Sequence, residues 1–508
     1  MHDRITEDAR HGHTAPPASA TWMLSGAGGP LSRIGALADD MLDGIERLRS
    51  EAGAAFEGGL RVGVTGLSGA GKTVFITALA ASLLERDRLR RFAPAAEGRI
   101  LAALLRPQPD DDVPRFPVEA NLARLRGDPP TWPEATGAVS QLRVALRMEN
   151  RALLERLARP LFGDIAGPQT VNVDIVDYPG EWLMDLALID ADYEGWSAGA
   201  LASADQAVRR EAAAGWHGAL PAARPGEAHD EAAAGRLGAA WAAYLQACRK
   251  AGFSTLAPGR FLMPGEYAGS PMLAFAPLPR PESAAERAPG TLWGTMRARF
   301  ETYKRAVAKP FFRKHFAKLD RQVVLVDALS ALARGPGALA DMTEAMGETL
   351  ACFRHGRSSW LDRVLGARRI DRVLVAATKA DRLHHGQHAR LTALIEAMTA
   401  EAARRARFDG AETRAIALAA VRATAEDTVQ GPAGPMDVVR GETADGRRVA
   451  VHAGRLPEDA GTLIHGGGVA APDDFAAVDF RPPRWGTGGP PHIRLDAALD
   501  WLIGDRLG

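Results

Sequence analysis

The feature that most constrains the fold is the segment Gly66–Thr73 (GLSGAGKT), which fits the pattern G-x-x-x-x-G-K-[ST]. Leu60–Thr65 (LRVGVT) before it is predicted to be a short strand. Lys72–Leu84 after it carries apolar residues at helical spacing. A glycine-rich turn between a strand and a helix points backbone N–H groups at phosphates near the helix N-terminus. The pattern therefore predicts a P-loop in a doubly wound α/β fold.

Each residue type in this motif suits contact with a nucleotide phosphate. Lys72 is expected to reach the terminal phosphates as a positive charge, and the Thr73 hydroxyl is expected to bind Mg²⁺. Lysine is rare in this chain, with seven among 62 basic residues, so its place here is informative. A glycine-rich turn without a ligand is the alternative. The predicted phosphate-binding residues are Ser68, Gly69, Ala70, Gly71, Lys72, Thr73 and Val74.

A second motif supplies the carboxylate that such a site needs. Asp177–Gly180 (DYPG) fits D-x-x-G and follows the predicted strand Thr170–Val176. Other copies of the pattern, at 164–167, 192–195 and 505–508, do not end a clear apolar strand. Asp177 is therefore predicted to hold Mg²⁺ and the Gly180 N–H to contact a γ-phosphate, with a plain strand-ending turn as the alternative.

A third motif, Thr378-Lys379-Ala380-Asp381, follows the predicted strand Arg372–Ala377 and resembles the guanine-reading element [NT]-K-x-D. A carboxylate at Asp381 would accept two hydrogen bonds from the guanine edge, while the Lys379 stem packs on the base. Adenine presents the opposite donor–acceptor arrangement and would be rejected. An aspartate that only caps a helix is the alternative.

Three weaker assignments complete the predicted site. Thr136 is predicted to be the switch threonine that completes the coordination of Mg²⁺, with Thr131 as its rival. The backbone N–H groups of Ala420 and Val421, at the end of the predicted strand Arg414–Val421, are candidates for the guanine carbonyl.

Composition excludes several classes of protein. The balance of 62 basic and 62 acidic residues excludes a global cationic surface for nucleic acid. Cys248 and Cys352 cannot form a disulfide framework or a cysteine-based zinc site. The sequence has no apolar run of about 18 residues and begins without the apolar core of a signal peptide. We expect a cytoplasmic protein.

The composition and the pattern of apolar residues change along the chain, and these changes divide it into predicted parts. Further strands are predicted at Ser140–Met148 and Gln322–Val326, and 106–133 is predicted to be a long loop. The predicted parts are a disordered tail (1–30), the first part of the core with an N-terminal helix (31–180), a mainly helical insertion (181–320), the second part of the core (321–422), an excursion with a β-hairpin at Asp445-Gly446 (423–490) and a C-terminal helix (491–508).

With these motifs, the sequence resembles the YcjX-like family of bacterial P-loop GTPases. The similar segments are GLSGAGKTVFITAL, DYPGEWLMDL, FLMPGEYAGSPML, the stretch from Phe300 through LDRQVVLVDAL, VLVAATKAD and HIRLDAALDWLIGDRL. They extend from about Leu60 to the C-terminus. The resemblance implies GTP/GDP binding, slow GTP hydrolysis, a Ras-like core with a large helical insertion, and a loose link to stress response. Gly69-Ala70 departs from the Arg-Ser that the family suggests.

Two departures from ordinary small GTPases affect the predicted activity. Glu181 stands where many GTPases carry the glutamine that orients the attacking water, so we expect slow turnover, or catalysis completed by an arginine from the insertion or a partner. The long spacing from Gly180 to Gln322 suggests that the insertion responds to the nucleotide. A nucleotide-gated switch for an unknown protein partner, with incidental turnover, and an ATPase remain alternatives.

Two further clusters have competing interpretations. Tyr303–Arg321 holds four of the seven lysines and three phenylalanines. It is either an amphipathic surface for peripheral membrane contact or a helix whose aromatic side chains pack on the core. His384, His385 and His388 suggest a metal site, but a loop after the base-reading motif explains them equally well.

Overall fold

The computed structural model describes residues 59–67, 69–149, 168–352, 370–408, 410–431, 434–464, 475 and 478–507. The predicted tail 1–30, the predicted helix within 31–49 and Ser68 lie outside these residues. So do parts of both halves of the predicted core (150–167, 353–369 and 409) and part of the predicted excursion (465–474 and 476–477).

A mixed α/β fold is built on a mostly parallel sheet. Its strands are β1 (Leu60–Gly66), β2 (Ile100–Arg106), β3 (Ser140–Met148), β4 (Gln169–Asp177), β5 (Arg321–Val326), β6 (Arg372–Ala377) and β7 (Glu412–Ala417). Within the described ranges these seven strands lie in the order β2-β3-β4-β1-β5-β6-β7. Strand β3 pairs antiparallel with both of its neighbours, and the other pairs are parallel. The carboxyl ends of β1, β4, β5, β6 and β7 therefore lie along one edge.

After their first, polar residues, strands β5 and β6 are apolar because both faces of the sheet are covered. Val323 and Leu325 lie in one core with Leu374 of β6, whereas Val324 and Val326 lie in a second core. Successive side chains of a strand point to opposite faces, so a strand buried on both sides carries no polar alternation.

Helices cover both faces of this sheet, and others form a separate cluster. The helices of the described residues are α1 (Lys72–Glu85), α2 (Ala93–Ala96), α3 (Val118–Leu125), α4 (Glu181–Leu188), α5 (Tyr193–Ala204), α6 (Ala214–Ala219), α7 (Glu231–Ala251), α8 (Leu292–Tyr303), α9 (Lys309–Lys314), α10 (Ala328–Arg334), α11 (Pro336–Ala351), α12 (His388–Phe408), α13 (Gly461–Ile464) and α14 (Leu495–Ile503). A π-helical turn, Lys304–Ala308, joins α8 to α9. Helices α1 and α14 pack on one face, and α4, α10, α11 and α12 pack on the other.

The elements from α5 to α8 surround an aromatic cluster of their own, to which α4 adds Leu188. Trp196 stacks on Phe300 with ring centroids 5.0 Å apart, and Trp241 meets Trp216 edge to face at 5.0 Å. Helix α7 begins where the Asp230 carboxylate accepts hydrogen bonds from the N–H groups of residues 232 and 233. It ends at Gly252, whose φ of 91° is the left-handed conformation that glycine adopts without strain. The ends of α7 are thus set by local sequence.

A smaller antiparallel sheet follows β7. Its strands are β8 (Ala425–Gly431), β9 (Gly434–Glu442) and β10 (Arg448–Val451), in the order β10-β9-β8. The turn between β9 and β10 contains Asp445 and Gly446, and Gly446 has a φ of 87°. Throughout the described part of the chain, every helix is too short or too polar to cross a bilayer.

Three predictions about local structure were wrong in part. The predicted loop 106–133 contains helix α3, whose buried Val118, Asn121 and Leu125 follow helical spacing among Pro, Asp and Arg residues that obscure it. Strand β2 was missed because it is an edge strand, with Leu104 at 47% exposure. The predicted strand Arg414–Val421 begins earlier, at Glu412, and ends at Ala417, opposite Ala377, where β6 ends and the chain turns into the TKAD segment.

The predicted membrane-contact surface at Tyr303–Arg321 is not supported by the structure. Phe311, Phe312 and Phe316 are all buried. Phe311 packs edge to face on Tyr178, with ring centroids 6.0 Å apart. The aromatic side chains of this segment therefore stabilise the core and are not available for a membrane.

A buried carboxylate joins α4 to the helices around the aromatic cluster. Asp185 accepts hydrogen bonds from the Gly259 N–H at 2.7 Å and from the Tyr303 hydroxyl at 2.6 Å. Burial raises the pKa of Asp185 to about 6, although these hydrogen bonds oppose the shift. The folded protein therefore favours the protonated acid over a wider pH range than the unfolded chain does.

This raised pKa predicts a pH-dependent contribution to stability. The contribution is fully present below the ordinary aspartate pKa of 3.8 and is lost as the pH rises through about 6. Relative to Asp185→Asn, wild type should therefore lose about 1.5 kcal/mol of unfolding free energy between pH 5 and pH 8. Urea unfolding at both pH values measures the difference. Asp190→Asn, at an exposed carboxylate, is the control, and parallel pH curves for wild type and Asp185→Asn would contradict the prediction.

Candidate nucleotide-binding site

The carboxyl ends of the parallel strands open into a cavity of about 350 Å³. Strand ends of an open α/β sheet are where such folds bind ligands, because the connecting loops separate there. Its lining residues are Gly66, Leu67, Gly69–Phe75, Trp132, Pro133, Ala135, Thr136, Pro179, Glu181, Arg249, Met263, Thr378, Lys379, Asp381, Arg382, Ala419–Val421, Ala423, Asp479 and Phe480. The three sequence motifs therefore meet at one cavity.

The turn between β1 and α1 has the backbone shape that a phosphate cradle requires. Gly69 and Gly71 have φ angles of 79° and 77°, in the left-handed region that favours glycine. Helix α1 begins at Lys72, and its first turn, Lys72–Phe75, carries no acidic residue. The N-terminal N–H groups and helix dipole thus present positive potential to the cavity.

A buried ion pair joins this turn to the D-x-x-G segment. The Lys72 ammonium donates to Asp177 Oδ1, and it also lies 3.2 Å from the Thr136 hydroxyl. Thr136 donates to Asp177 Oδ2 at 2.7 Å, and Ser140 approaches the same oxygen at 3.4 Å. Asp177 is only 1% exposed, so the lysine and the hydroxyls satisfy a carboxylate that water does not reach.

The structure separates the two candidate switch threonines. Thr136 lines the cavity and contacts Asp177. Thr131 is exposed, and its N–H binds the carbonyl of Arg124. Only the position of Thr136 suits the predicted role.

Gly180 lies directly against the P-loop backbone. A Cβ added to Gly180 would overlap the carbonyl oxygen of Gly66, so the two strand-ending segments approach as closely as glycine permits. Gly180 also lines a small cavity adjoining the main one, together with Leu67, Glu181 and Arg249. The D-x-x-G segment and the P-loop are thus in direct backbone contact.

The TKAD segment forms the other end of the cavity. Thr378 follows β6 with its N–H bonded to the Val326 carbonyl at 2.8 Å. Lys379 adopts a φ of 57°, and its ammonium donates to Asp327 Oδ2 at 2.6 Å. Although burial opposes the shift, this ammonium holds the pKa of Asp327 below its usual range. The lysine stem is thereby held beside the cavity.

Asp381 is buried at the same end of the cavity. Its Oδ2 accepts a hydrogen bond from the Ala423 N–H at 2.8 Å, and burial raises its pKa. The predicted backbone donors at Ala420 and Val421 also line this end. The TKAD segment and the residues after β7 therefore share one wall.

Several residues that line the cavity or support its lining were not found by sequence reasoning. Asp327 follows β5 and fixes Lys379, a role that a single strand-ending aspartate does not reveal. Trp132 donates from its indole N–H to the carbonyl of Phe480 at 2.7 Å, and this contact joins segments 348 residues apart. No local sequence pattern predicts which of these distant residues contact each other, because the contacts depend on the tertiary packing.

Glu181 lies at the cavity and is paired with an arginine. Glu181 Oε1 lies 3.1 Å from Arg249 Nη2, and both side chains line the cavity. The sequence predicts slow turnover, or catalysis completed by an arginine from the insertion or a partner, and identifies no particular arginine. The structure brings Arg249 of α7 to the first residue of α4.

The three histidines after the TKAD segment do not act as one group. His388 is buried, and its Nε2 contacts the carbonyl oxygens of Ala380 and Leu383. His385 instead pairs with Glu426 of the small sheet at 2.7 Å. The predicted trio is thus divided between the core and the surface.

The donor set at the P-loop end of the cavity fits Mg²⁺. Thr73 and Thr136 line this end, and the buried Asp177 carboxylate lies behind Thr136, which donates a hydrogen bond to it. Such hard oxygen ligands, together with water, are what Mg²⁺ prefers. These residues would hold the ion.

Together, the glycine turn, the helix that begins at its lysine and the facing carboxylate define a P-loop α/β protein. The sequence profile of the YcjX-like family, DUF463, matches residues 60–507. The chain is 37% identical over 477 residues to the protein named Ras-like GTPase YcjX of Escherichia coli K12, covering 91% of this chain and all of the relative. It is 33% identical over 470 residues to the Ras-like GTPase YcjX of Shewanella oneidensis, covering 88% of this chain and 94% of the relative. The chain belongs to the YcjX-like family.

Proposed function

We propose that this protein binds GTP with Mg²⁺ and hydrolyses it slowly, on a Ras-like core carrying a helical insertion. The observation that carries the proposal is that Lys72, which is paired with Asp177, and Asp381 line one cavity. These residues come from three motifs that are far apart in the sequence. The names of the two relatives support the GTPase class.

The phosphate end supplies the charge that phosphoryl transfer requires. Backbone N–H groups of the P-loop and the Lys72 ammonium would bind the β- and γ-phosphates. Thr73 and Asp177 would hold the metal, and Mg²⁺ supplies charge neutralisation of the phosphate oxygens when bound. Because Lys72 now pairs with Asp177, phosphate binding requires the ammonium to share or exchange that partner.

The opposite end would select the base. Asp381 is held by the Ala423 N–H, and a carboxylate there accepts the paired donors of the guanine edge. Burial disfavours its charged form, so bonds from guanine would be gained in a site of low polarity, where they are strong. Lys379, fixed by Asp327, would pack its stem along the base.

The test of this proposal is the substitution Asp381→Asn. An amide at this position presents N–H where the carboxylate accepts, so guanine should bind at least about 100-fold more weakly and xanthine should gain. Titration with fluorescent GDP, XDP and ATP analogues measures this. Asp479→Asn, on the same cavity wall but outside the motif, is the matched control. Preference of the wild-type protein for ATP would establish the ATPase alternative and overturn the guanine assignment.

One observation favours a second candidate, a nucleotide-gated switch with incidental turnover. Helix α4 starts directly after Gly180 and is bound to a later part of the insertion by Asp185, which contacts Gly259, and by Arg260, whose guanidinium lies 3.3 Å from the Trp182 ring centroid. A change at the γ-phosphate would therefore be transmitted to the insertion. Turnover that stays at its intrinsic rate whatever cytoplasmic protein partner is added would favour this switch.

A further inference from the structure

The ion pair between Glu181 and Arg249 brings a cation from the insertion to the phosphate end of the cavity. Arg249 lies in the last turn of α7, and Glu181 is the first residue of α4. Their side chains are 31% and 11% exposed. Both line the cavity together with Lys72. The arginine is thus a second cation at this end, supplied by the same chain.

The backbone that carries Arg249 is held firmly. Trp241, Tyr244, Leu245 and Cys248 of α7 are buried in the aromatic cluster. Gly252 ends the helix with its N–H bonded to the carbonyl of Arg249 at 3.0 Å. The guanidinium, in contrast, is partly exposed and rests on a carboxylate. Its side chain can therefore change partner while its main chain stays fixed.

The main chain that carries Glu181 is fixed as well. A Cβ on Gly259 would overlap the carbonyl of Glu181, so the segment at Gly259 packs closely on the start of α4. Asp185, one turn later, is bonded to the Gly259 N–H. The backbone at Glu181 is therefore held beside Arg249.

From this geometry we propose that Arg249 is the catalytic arginine of the site and that Glu181 is the positioning residue that holds it before reaction. The proposal rests on the proposed GTPase function. Arg249 leaves Glu181 when the γ-phosphate is bound, because the phosphate oxygens offer more negative charge than one carboxylate. An arginine in this role neutralises charge that develops in the transition state.

The reaction that Arg249 assists is the hydrolysis of the terminal phosphoanhydride. The water oxygen forms a bond to the γ-phosphorus while the bond to the β–γ bridging oxygen breaks. The electron pair of that bond stays on the bridging oxygen of GDP, and the protons of the water pass to inorganic phosphate and solvent. Arg249 is neither oxidised nor covalently modified, and its guanidinium stabilises the charge on the leaving and transferred oxygens.

The experiment compares Arg249→Ala and Arg249→Lys with wild type in the full-length protein. Arg249→Ala should lower kcat for GTP about 1,000-fold while the Kd for GDP changes less than about 3-fold. Arg249→Lys should fall between, because an ammonium lacks the planar fork of donors. Lys250→Ala is the matched control, since Lys250 is the next residue of the same helix, is exposed and does not line the cavity.

A readout without turnover separates catalysis from structure. The complex of GDP with fluoroaluminate mimics the transferring phosphoryl group, so wild type and Lys250→Ala should form it and Arg249→Ala should not. A double-mutant cycle of Glu181→Gln with Arg249→Ala should show that the effect of the glutamine on kcat largely disappears without the arginine.

Each outcome bears on the proposal. Normal kcat in Arg249→Ala, with tight guanine binding intact, overturns the role of Arg249 and leaves the proposed GTPase function standing. Equal losses of GDP affinity and kcat show that Arg249 is structural, which also overturns it. Wild-type protein that neither binds nor hydrolyses GTP contradicts the proposed function and this inference together.

Discussion

Replacing Lys72 with alanine is expected to weaken GDP and GTP binding at least about 100-fold and to make hydrolysis undetectable. Two causes act together. The phosphates lose a charged donor, and charge-assisted hydrogen bonds are each worth about 1.5–3 kcal/mol. Asp177, at 1% exposure, loses its cationic partner and keeps only hydroxyl donors. Titration with a fluorescent GDP analogue and a phosphate-release assay measure both effects.

The control for this substitution is an exposed lysine. Lys250→Ala removes the same charge without touching Asp177 or the P-loop. Thermal unfolding of both variants in the absence of nucleotide distinguishes loss of binding from loss of fold. Lys72→Ala that binds GDP within 5-fold of wild type would show that Lys72 is only a structural partner of Asp177.

The second large effect is expected from Gly180→Ala. The added Cβ overlaps the carbonyl oxygen of Gly66, which is backbone and cannot rotate away. Relief requires the P-loop and the D-x-x-G segment to separate, so the variant should lose about 1–3 kcal/mol of stability. Nucleotide affinity should fall at least about 10-fold, because the cradle and the facing segment are displaced together. Urea unfolding and GDP titration are the measurements.

A glycine with free space provides the matched control. Gly199 lies within α5, and a Cβ there meets no heavy atom within 4 Å. Gly199→Ala should leave nucleotide binding unchanged and stabilise the protein slightly, because alanine favours a helix interior. If Gly180→Ala behaves like Gly199→Ala, the close approach of the two segments has no functional consequence.

The sequence alone was sufficient to predict two strands of the main sheet, and it predicted three motifs at the ends of strands. Ser140–Met148 and Arg372–Ala377 were predicted with the bounds that β3 and β6 have in the structure. Three motifs were each predicted to follow a strand, and carboxyl ends of parallel strands meet at one edge. These sequence signals are local, because a run of apolar residues indicates a buried segment and a glycine indicates an unusual backbone conformation. The roles of the individual site residues stay predictions.

Elements with weak local signals required the structure. Edge strand β2 is covered on fewer sides than the central strands, so its apolar pattern is incomplete. Helix α3 is hidden by the Pro and Asp residues around it. The phenylalanines of Tyr303–Arg321 suit either a membrane or a core, and only packing on Tyr178 decided for the core.

The sequence by itself therefore predicted a P-loop at one edge of the sheet and the types of side chain that lie along that edge. Only the tertiary structure decided which distant side chains complete it, namely Asp327 at Lys379 and Arg249 at Glu181. The physical reason is that periodicity tells which face of a helix is buried, but not which neighbour that face meets. Glu181 and Arg249 are 68 residues apart, and their contact exists because the aromatic cluster that buries α7 also takes up Leu188 at the end of α4.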